Sequence, residues 1–391
     1  MSHNKYIAYV GPFSFPNGGA AARRILGVSR SIEDAGYQVI IGTGDLSEGC
    51  TDYELSENIR VKYLNERTGE NLPKLLKYLK YLSMGKVTVE WLDDLEVKPE
   101  AVILYSGYSP YLLRLLKWCK RNNVKLIFDA VEWYDPPSRI HGILNPYYWN
   151  IELAMRWLLP KTKNVIAISS YLEKYYQDRK CNTVRVPPTL DTELTPYQLN
   201  LNKRGKVHLG YAGSPGHKDY LENIVSALFQ LEEARDKICL NLIGLTEDDV
   251  LKFEIFKSQG ITKLPSNIHC YGRVSHSEAV ERISHCHYTI FVRSDKRYSK
   301  AGFPTKFVES LALGTPVITN LTSDLKEYLV DGVNGIVVDN ESDTAIVKAL
   351  NKAIQLGEEG ALGLRSRSRE GAIESFDIRQ YISKIISFLA L

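Results

Sequence analysis

The chain has 391 residues, of which 44% are hydrophobic and 24% charged, and its formal net charge is +3. This mix predicts a soluble globular protein of two domains, three at most, and excludes wholesale disorder, a collagen-like repeat and a disulfide-stapled miniprotein. A balance so near neutral also argues against a duplex-DNA binder, which carries a basic surplus on its footprint.

The first residues, 1–5, run straight into the strand-like Tyr6-Ile7-Ala8-Tyr9-Val10, so no signal-peptide core is expected. Short β-branched runs then alternate with amphipathic stretches, the pattern of α/β units around parallel sheets. In the first half, strands are predicted over 5–10, 37–42, 59–64, 101–105, 124–128 and 164–168, with helices over 19–35, 71–83, 109–121 and 145–159. In the second half, strands are predicted over 206–212, 237–243, 267–271, 288–292, 315–319 and 335–338. The helices there are 219–233, 275–284, 304–313, 324–330, 342–356 and 360–371. Two Rossmann-type domains follow, 1–190 and 191–375. The join is expected at Val184-Arg185-Val186-Pro187-Pro188-Thr189, where two prolines force extended backbone. A last helix over 376–391 has an apolar period at Ile378, Tyr381, Ile382, Ile385, Ile386 and Leu389.

Three loops can carry chemistry. The first, Gly11 to Arg24 with the pair Gly18-Gly19, follows the first strand and opens a helix. Glycines there admit a close backbone approach, and a helix start offers N–H groups to an anion. It lacks the glycine spacing and the acidic partner of a dinucleotide fold, which argues against a nicotinamide dehydrogenase. The second, Tyr211-Ala212-Gly213-Ser214-Pro215-Gly216-His217-Lys218-Asp219, has Lys218 placed to neutralise phosphate. The third runs from Arg293 to Ile318. A basic loop precedes Pro304, which is expected to open a helix. The N–H groups of Thr305, Lys306 and Phe307 are then available to a diphosphate, and Lys306 and Glu309 share a helix face. Gly314 and Pro316 end that helix.

In series, these residues resemble the GT-B-fold glycosyltransferases, specifically family 4. The Gly18-Gly19 loop, Ala167-Ile168-Ser169-Ser170-Tyr171-Leu172, Val186-Pro187-Pro188, Gly213 to Asp219, and Gly302 to Ile318 fall in the family's order. The resemblance implies an α/β, GT-B fold with two facing Rossmann-like domains, a cleft between them and a C-terminal helix returning to the N-terminal domain. It implies retaining transfer of a sugar from a UDP- or GDP-sugar to a glycan or lipid-linked acceptor, with no metal and no other cofactor. The donor-binding set it implies is Gly18, Gly19, Gly213, Ser214, Lys218, Arg273, Arg293, the run Gly302, Phe303, Pro304, Thr305, Lys306 and Phe307, and Glu309 on the ribose. Lys218, Arg293 and Lys306 are the candidates to stabilise the leaving diphosphate. Asp129, Glu132 and the later His141 are the candidates to face the acceptor, with a helix or loop cap the alternative for Asp129.

The sequence departs from the family where a second glutamate is common eight residues before Glu309, because Ala301 stands there. That position motivates a donor sugar lacking or reorienting the hydroxyl such a glutamate binds. It also keeps open a catalytically silent sugar-nucleotide binder, beside a nucleotide-sugar epimerase of the same fold. An arginine common near the Gly213 loop is replaced by Ser214, with Arg293 the candidate substitute.

Outside these loops, His285-Cys286-His287 has metal-ligand residue types. The residues lead into a strand whose alternate side chains diverge, so no metal is expected. The cysteines, Cys50, Cys119, Cys181, Cys239, Cys270 and Cys286, are scattered, as expected of reduced thiols in a cytosolic protein. No apolar run reaches the ~20 residues of a membrane span. The lysines and tyrosines of 71–86, such as Lys74, Lys77, Lys80, Tyr78 and Tyr81, fit either the outer face of a Rossmann helix, the default, or peripheral contact with anionic lipid at the inner membrane face; the same holds, more weakly for lipid, of 111–121.

Overall fold

Near-continuous apolar runs suit strands covered on both faces. In the computed structural model of the chain, all of Tyr6-Ile7-Ala8-Tyr9-Val10 is buried. The structure describes residues 5–46, 52–66, 74–105, 107–136, 145–197, 201, 205–216 and 218–390. The chain divides into two units. One comprises Met1–Thr189, Ala301–Phe303 and Ile378–Leu391, the other Leu190–Lys300 and Pro304–Asp377.

The first unit runs β1 (Tyr6–Gly11), α1 (Ala20–Asp34), β2 (Gln38–Thr43), β3 (Tyr53–Glu54), β4 (Ile59–Tyr63), α2 (Lys74–Ser83), α3 (Lys86–Asp94), β5 (Ala101–Tyr105), α4 (Ser109–Asn122), β6 (Lys125–Ala130), α5 (Pro146–Leu153), β7 (Asn164–Ala167), α6 (Ser170–Gln177) and β8 (Asn182–Arg185). After α5 the helix continues as a π turn, Ala154–Leu158, and a 3-10 turn, Leu159–Thr162. The sheet order is β3-β4-β2-β1-β5-β6-β7-β8, parallel except for β3 against β4. Ile25, Val28 and Ile32 of α1 pack in one core with Tyr381, Ile385 and Phe388 of the C-terminal segment. The spacing of these last three puts them on one helical face. Ser31 Oγ donates to the Ile378 carbonyl at 3.0 Å and Lys125 Nζ to the Leu389 carbonyl at 2.7 Å, tying that segment down at both ends.

The second unit runs β9 (Val207–Ala212), α7 (Leu221–Phe229), β10 (Ile238–Ile243), α8 (Glu247–Leu251), α9 (Glu254–Ser258), β11 (Ile268–Cys270), α10 (His276–Ser284), β12 (Tyr288–Ile290), α11 (Arg297–Ala301), α12 (Thr305–Ala312), β13 (Val317–Asn320), β14 (Gly335–Val338) and α13 (Asp343–Phe376). Its sheet order is β11-β10-β9-β12-β13-β14, with every pair parallel. Arg365 of α13 is fully buried and donates to the carbonyls of Cys286 and Ser284, which clamps the helix to the strand entry of β12. Where α13 ends, Asp377 accepts from the Thr192 N–H at 3.1 Å.

The structure corrects several predicted elements. The basic loop after Arg293 contains the helical turn α11, and 324–330 forms only the 3-10 turn Leu325–Glu327. Residues 184–185 of the expected join belong to β8, which pairs with β7, and the division between the units falls after Thr189, where the expected stretch ends. α3, α6, α8 and α9 were not predicted. α6 has a side-chain cap, with Ser169 Oγ accepting from the Leu172 N–H. The gap left between helices 342–356 and 360–371 is a kink at Gly357, where φ is 60°. Phe388, rather than Ile386 or Leu389, is the buried contact near the C-terminus. Residues 71–73, His141, Cys50 and His217 lie outside the described residues. No helix among the described residues is long and apolar enough to cross a membrane.

Candidate functional site

In an open parallel sheet, ligands bind beyond the carboxyl ends of the strands where the strand order reverses. In the second unit that point lies between β9 and β12. The loops leaving these two strands are joined there: Asp219 bridges Arg293, and the Tyr220 N–H donates to the Val292 carbonyl at 2.7 Å. At the start of the first loop, Gly213 has φ 114°, which only glycine adopts readily, and its N–H is held by the Ile243 carbonyl at 2.8 Å.

Three chain segments converge on Asp219. Arg293 Nε donates to its Oδ1 at 2.8 Å, Tyr211 OH donates to Oδ2 at 2.8 Å, and Lys306 Nζ donates to the same Oδ2. Lys306 Nζ also lies 3.7 Å from the centroid of the Tyr211 ring, a cation–π contact. The Arg293 backbone is fixed by Asn320, which accepts from its N–H at 2.9 Å and donates to its carbonyl at 2.8 Å. The Asp219 side chain is 2% exposed, while Arg293 and Lys306 keep 11% and 18%. Two cations thus share one buried carboxylate, leaving a surplus positive charge whose exposed edge can meet an anion.

The titration behaviour follows from this arrangement. Burial lowers the Lys306 ammonium to about 8, against the upward pull of Asp219. Burial opposes ionisation of Asp219, but Arg293 and Lys306 together outweigh it and hold the carboxyl below its ordinary value. Burial, and then the Asp219 charge, push the Tyr211 hydroxyl well up. Glu309, one turn beyond Lys306, favours the lysine's charged form.

The remaining predicted donor residues separate into groups. Lys218 is half-buried on the turn beside Asp219, and its N–H donates to the Pro215 carbonyl at 3.3 Å. Ser214 and Arg273 are exposed. Gly302 and Phe303 are buried and group with the first unit, as does Ala301, whose carbonyl accepts from Ser169 Oγ at 2.7 Å. Pro304 is the N-cap of α12 rather than its first helical residue. The Phe307 N–H is spent on the Pro304 carbonyl at 3.0 Å, so it is not offered to a ligand, and the Phe307 ring is core. Thr305 and Lys306 open the helix, where N–H groups precede the first intrahelical acceptors.

In the first unit, the loop after β1 is set by Asp45, which accepts from Ser14 Oγ at 2.7 Å and from the Phe15 N–H at 2.8 Å. A Cβ on Gly18 would stand 1.9 Å from the Ser14 carbonyl oxygen, so glycine is required there. Gly19 is the N-cap of α1, with φ 62°, and faces open space. Asp129, expected to face an acceptor or to cap, does neither. It is fully buried, and its oxygens accept from Arg24 Nη2 at 2.9 Å, Arg24 Nε at 3.2 Å and Tyr9 OH. Arg24 in turn holds the carbonyls of Val186 and Pro187, so this pair braces the chain after β8. Glu132 is half-buried close to Tyr105 and Tyr147. The neighbouring Trp133 is anchored by Glu152, which accepts from its Nε1 at 2.8 Å.

His285 and His287 point to separate partners. His285 Nδ1 meets the Glu281 carbonyl at 2.7 Å, while His287 Nδ1 accepts from the His208 N–H at 2.9 Å. No group of three or more His, Cys, Asp or Glu side chains among the described residues is arranged to hold a metal ion.

Asp219, Tyr211 and Asn320 are the site residues that sequence reasoning missed. The one signal available was an acid immediately after Lys218 at a strand-to-helix turn.

Residues 197–373 match the family model described as glycosyl transferases group 1. Among solved structures, the sucrose-phosphate synthase of Thermosynechococcus elongatus is similar, with a TM-score of 0.75, 15% identity and 99% of each chain covered. Anabaena HepE, solved in complex with UDP and also with UDP-glucose, is similar with a TM-score of 0.66 in the UDP complex, 16% identity, and 98% of this chain and 99% of that one covered. The two parallel α/β sheets are those of the GT-B glycosyltransferase fold. An uncharacterised glycosyltransferase of Methanocaldococcus jannaschii is 21% identical over 207 residues, and the match spans about half of each chain, 51%.

Proposed function

We propose that the chain is a retaining glycosyltransferase of the family 4 type, moving a sugar from a nucleoside-diphosphate sugar to a glycan or lipid-linked acceptor without a metal or other cofactor. The observation that carries this reading is the Arg293–Asp219–Lys306 cluster at the strand-order reversal of the second unit. It offers surplus positive charge where a diphosphate would sit, and it lies within the matched group 1 region. The UDP and UDP-glucose complexes of HepE support a nucleotide-sugar donor.

In this reading the acceptor hydroxyl attacks the anomeric carbon, and the bond from that carbon to the diphosphate oxygen breaks. The hydroxyl proton passes to the departing phosphate on the same face. Lys306, Arg293 and Lys218 stabilise the negative charge that gathers on the leaving group. Glu309 takes the ribose hydroxyls, and Glu132 is the acceptor-side carboxylate that remains once Asp129 is committed to Arg24. The product belongs to surface polysaccharide or glycolipid synthesis at the cytosolic face of a membrane. Support for that place comes from the basic, tyrosine-bearing α2.

Thermal-shift measurements with UDP, GDP, ADP and their sugars test the donor. A ligand that binds the native state raises its melting temperature, so one base should stand out. No shift with any nucleotide contradicts the reading.

A further inference from the structure

Strand β10 is buried along its whole length, and Asn241 is the one amide among Ile238, Cys239, Leu240, Leu242 and Ile243. A buried amide is costly unless its hydrogen bonds are made. Asn241 is 4% exposed; its Oδ1 accepts from Tyr271 OH at 3.0 Å, and its Nδ2 donates to the Leu209 carbonyl at 3.1 Å. These two side chains form one wall of a groove of about 570 Å³, and the outward side of α10, from Ser277 to His285, forms the other. A volume of that size lies within the range of small-molecule sites. The groove leads away from the donor cluster. Asn241 is in register with Gly210 in the middle of β9, and His285 caps α10 just before β12 begins, whereas Asp219 and Arg293 lie beyond the carboxyl ends of β9 and β12.

The chemistry of the groove is mixed rather than of one sign. Arg282 donates from Nε and Nη2 to Glu278 Oε1, at 3.0 and 2.7 Å, and its guanidinium lies over the Tyr271 ring, 3.9 Å from the centroid. That ion pair neutralises itself. His285 Nδ1 meets the Glu281 carbonyl, which can only accept, so the neutral ring presents Nε2 as an acceptor. The Glu281 and Ser277 side chains are exposed. Donors and acceptors therefore alternate along the α10 wall, beside the Tyr271 ring.

We propose that this groove binds a neutral saccharide, at a site separate from the proposed donor site. A sugar hydroxyl both donates and accepts, so a ring of hydroxyls can meet Ser277, Glu281, Arg282 and the His285 Nε2 together. A phosphate would face the Glu278 and Glu281 carboxylates, and an apolar ligand would strip water from these polar groups without replacing its hydrogen bonds. Binding here does not depend on the Asp219 cluster, so either reading can fail without the other.

The test titrates the full chain with glucose, maltose, cellobiose and glucosamine by isothermal calorimetry, with no nucleotide present. At least one neutral sugar should bind, and bind equally well to Lys306→Ala, whose change lies in the donor cluster. Glu281→Ala removes a charged acceptor and should weaken binding at least roughly tenfold, the effect of losing one hydrogen bond to a charged group. Ser277→Trp places an indole at the groove and should abolish binding. Both groove variants should keep the wild-type melting temperature, because both side chains are exposed. Binding of none of the neutral sugars would overturn the proposal, as would wild-type binding by both groove variants. Stronger binding of glucosamine than of any neutral sugar would also overturn it, assigning the groove to a cation.

Discussion

In the proposed reaction, Lys306 is the residue whose charge matters most. Its ammonium is charged below about pH 8 and loses its proton as the pH rises through that value, because burial disfavours the charge. kcat/KM for the donor reports ionisations of the free enzyme, so it should fall as pH rises through about 8. Arginine stays charged there, so Lys306→Arg should move the fall upward or remove it. A wild-type profile that stays level well above this pH contradicts the assignment. The stability contribution has the opposite sign. Between the folded value of about 8 and the ordinary 10.5, the unfolded chain binds more protons, and this group's contribution to stability rises with pH.

Asp129 illustrates the other outcome at residue scale. As a fully buried partner of Arg24, it contributes to the fold rather than to acceptor chemistry. Removing one member of such a pair strands the other charge, so Asp129→Ala should destabilise the first unit by about 3–5 kcal/mol in urea unfolding. Wild-type stability in that variant would contradict the pairing. Neither Asp129 nor Asp219 was legible from local sequence. Arg24 lies 105 positions from Asp129, and the cations of Asp219 come from 74 and 87 positions away. A sequence window shows residue types at strand ends, which is how Arg293, Lys306 and Lys218 were found. It does not show which charges meet.

At the scale of elements, the alternation of buried strands and amphipathic helices was the readable part, because period and burial are local properties. Both sheets were expected from it. The misses are short elements. β3 has two residues, and β8 has four at a stretch whose prolines, Pro187 and Pro188, drew attention to the join instead. α6 starts three residues after β7 ends, and no helix was expected there, although the Ser169 hydroxyl caps it. The C-terminal helix was legible as a period, but the choice among Ile386, Phe388 and Leu389 needed the packing. Phe388 is 3% exposed in the core formed with α1. Phe388→Ala should therefore cost about 3–5 kcal/mol, read by denaturant unfolding of the full chain. A change within the scatter of surface substitutions would show that this helix adds little to the first unit.

For the molecule as a whole, two parallel sheets supply the scaffold, and the charged cluster in the second unit is the proposed seat of an anionic donor. The fold alone hosts many activities, so the functional reading rests on that cluster within the group 1 region. Under the proposed function, Ala301 bears on which sugar is carried rather than on whether a diphosphate is held. The most direct measurement is the release of nucleoside diphosphate from a panel of UDP- and GDP-sugars, with and without glycan acceptors, by wild type and by Lys306→Ala. Release is expected from donors of one base, accompanied by a glycosylated product, with a loss on the order of 10²-fold or more in the variant. Turnover by Lys306→Ala within a few-fold of wild type would contradict that expectation.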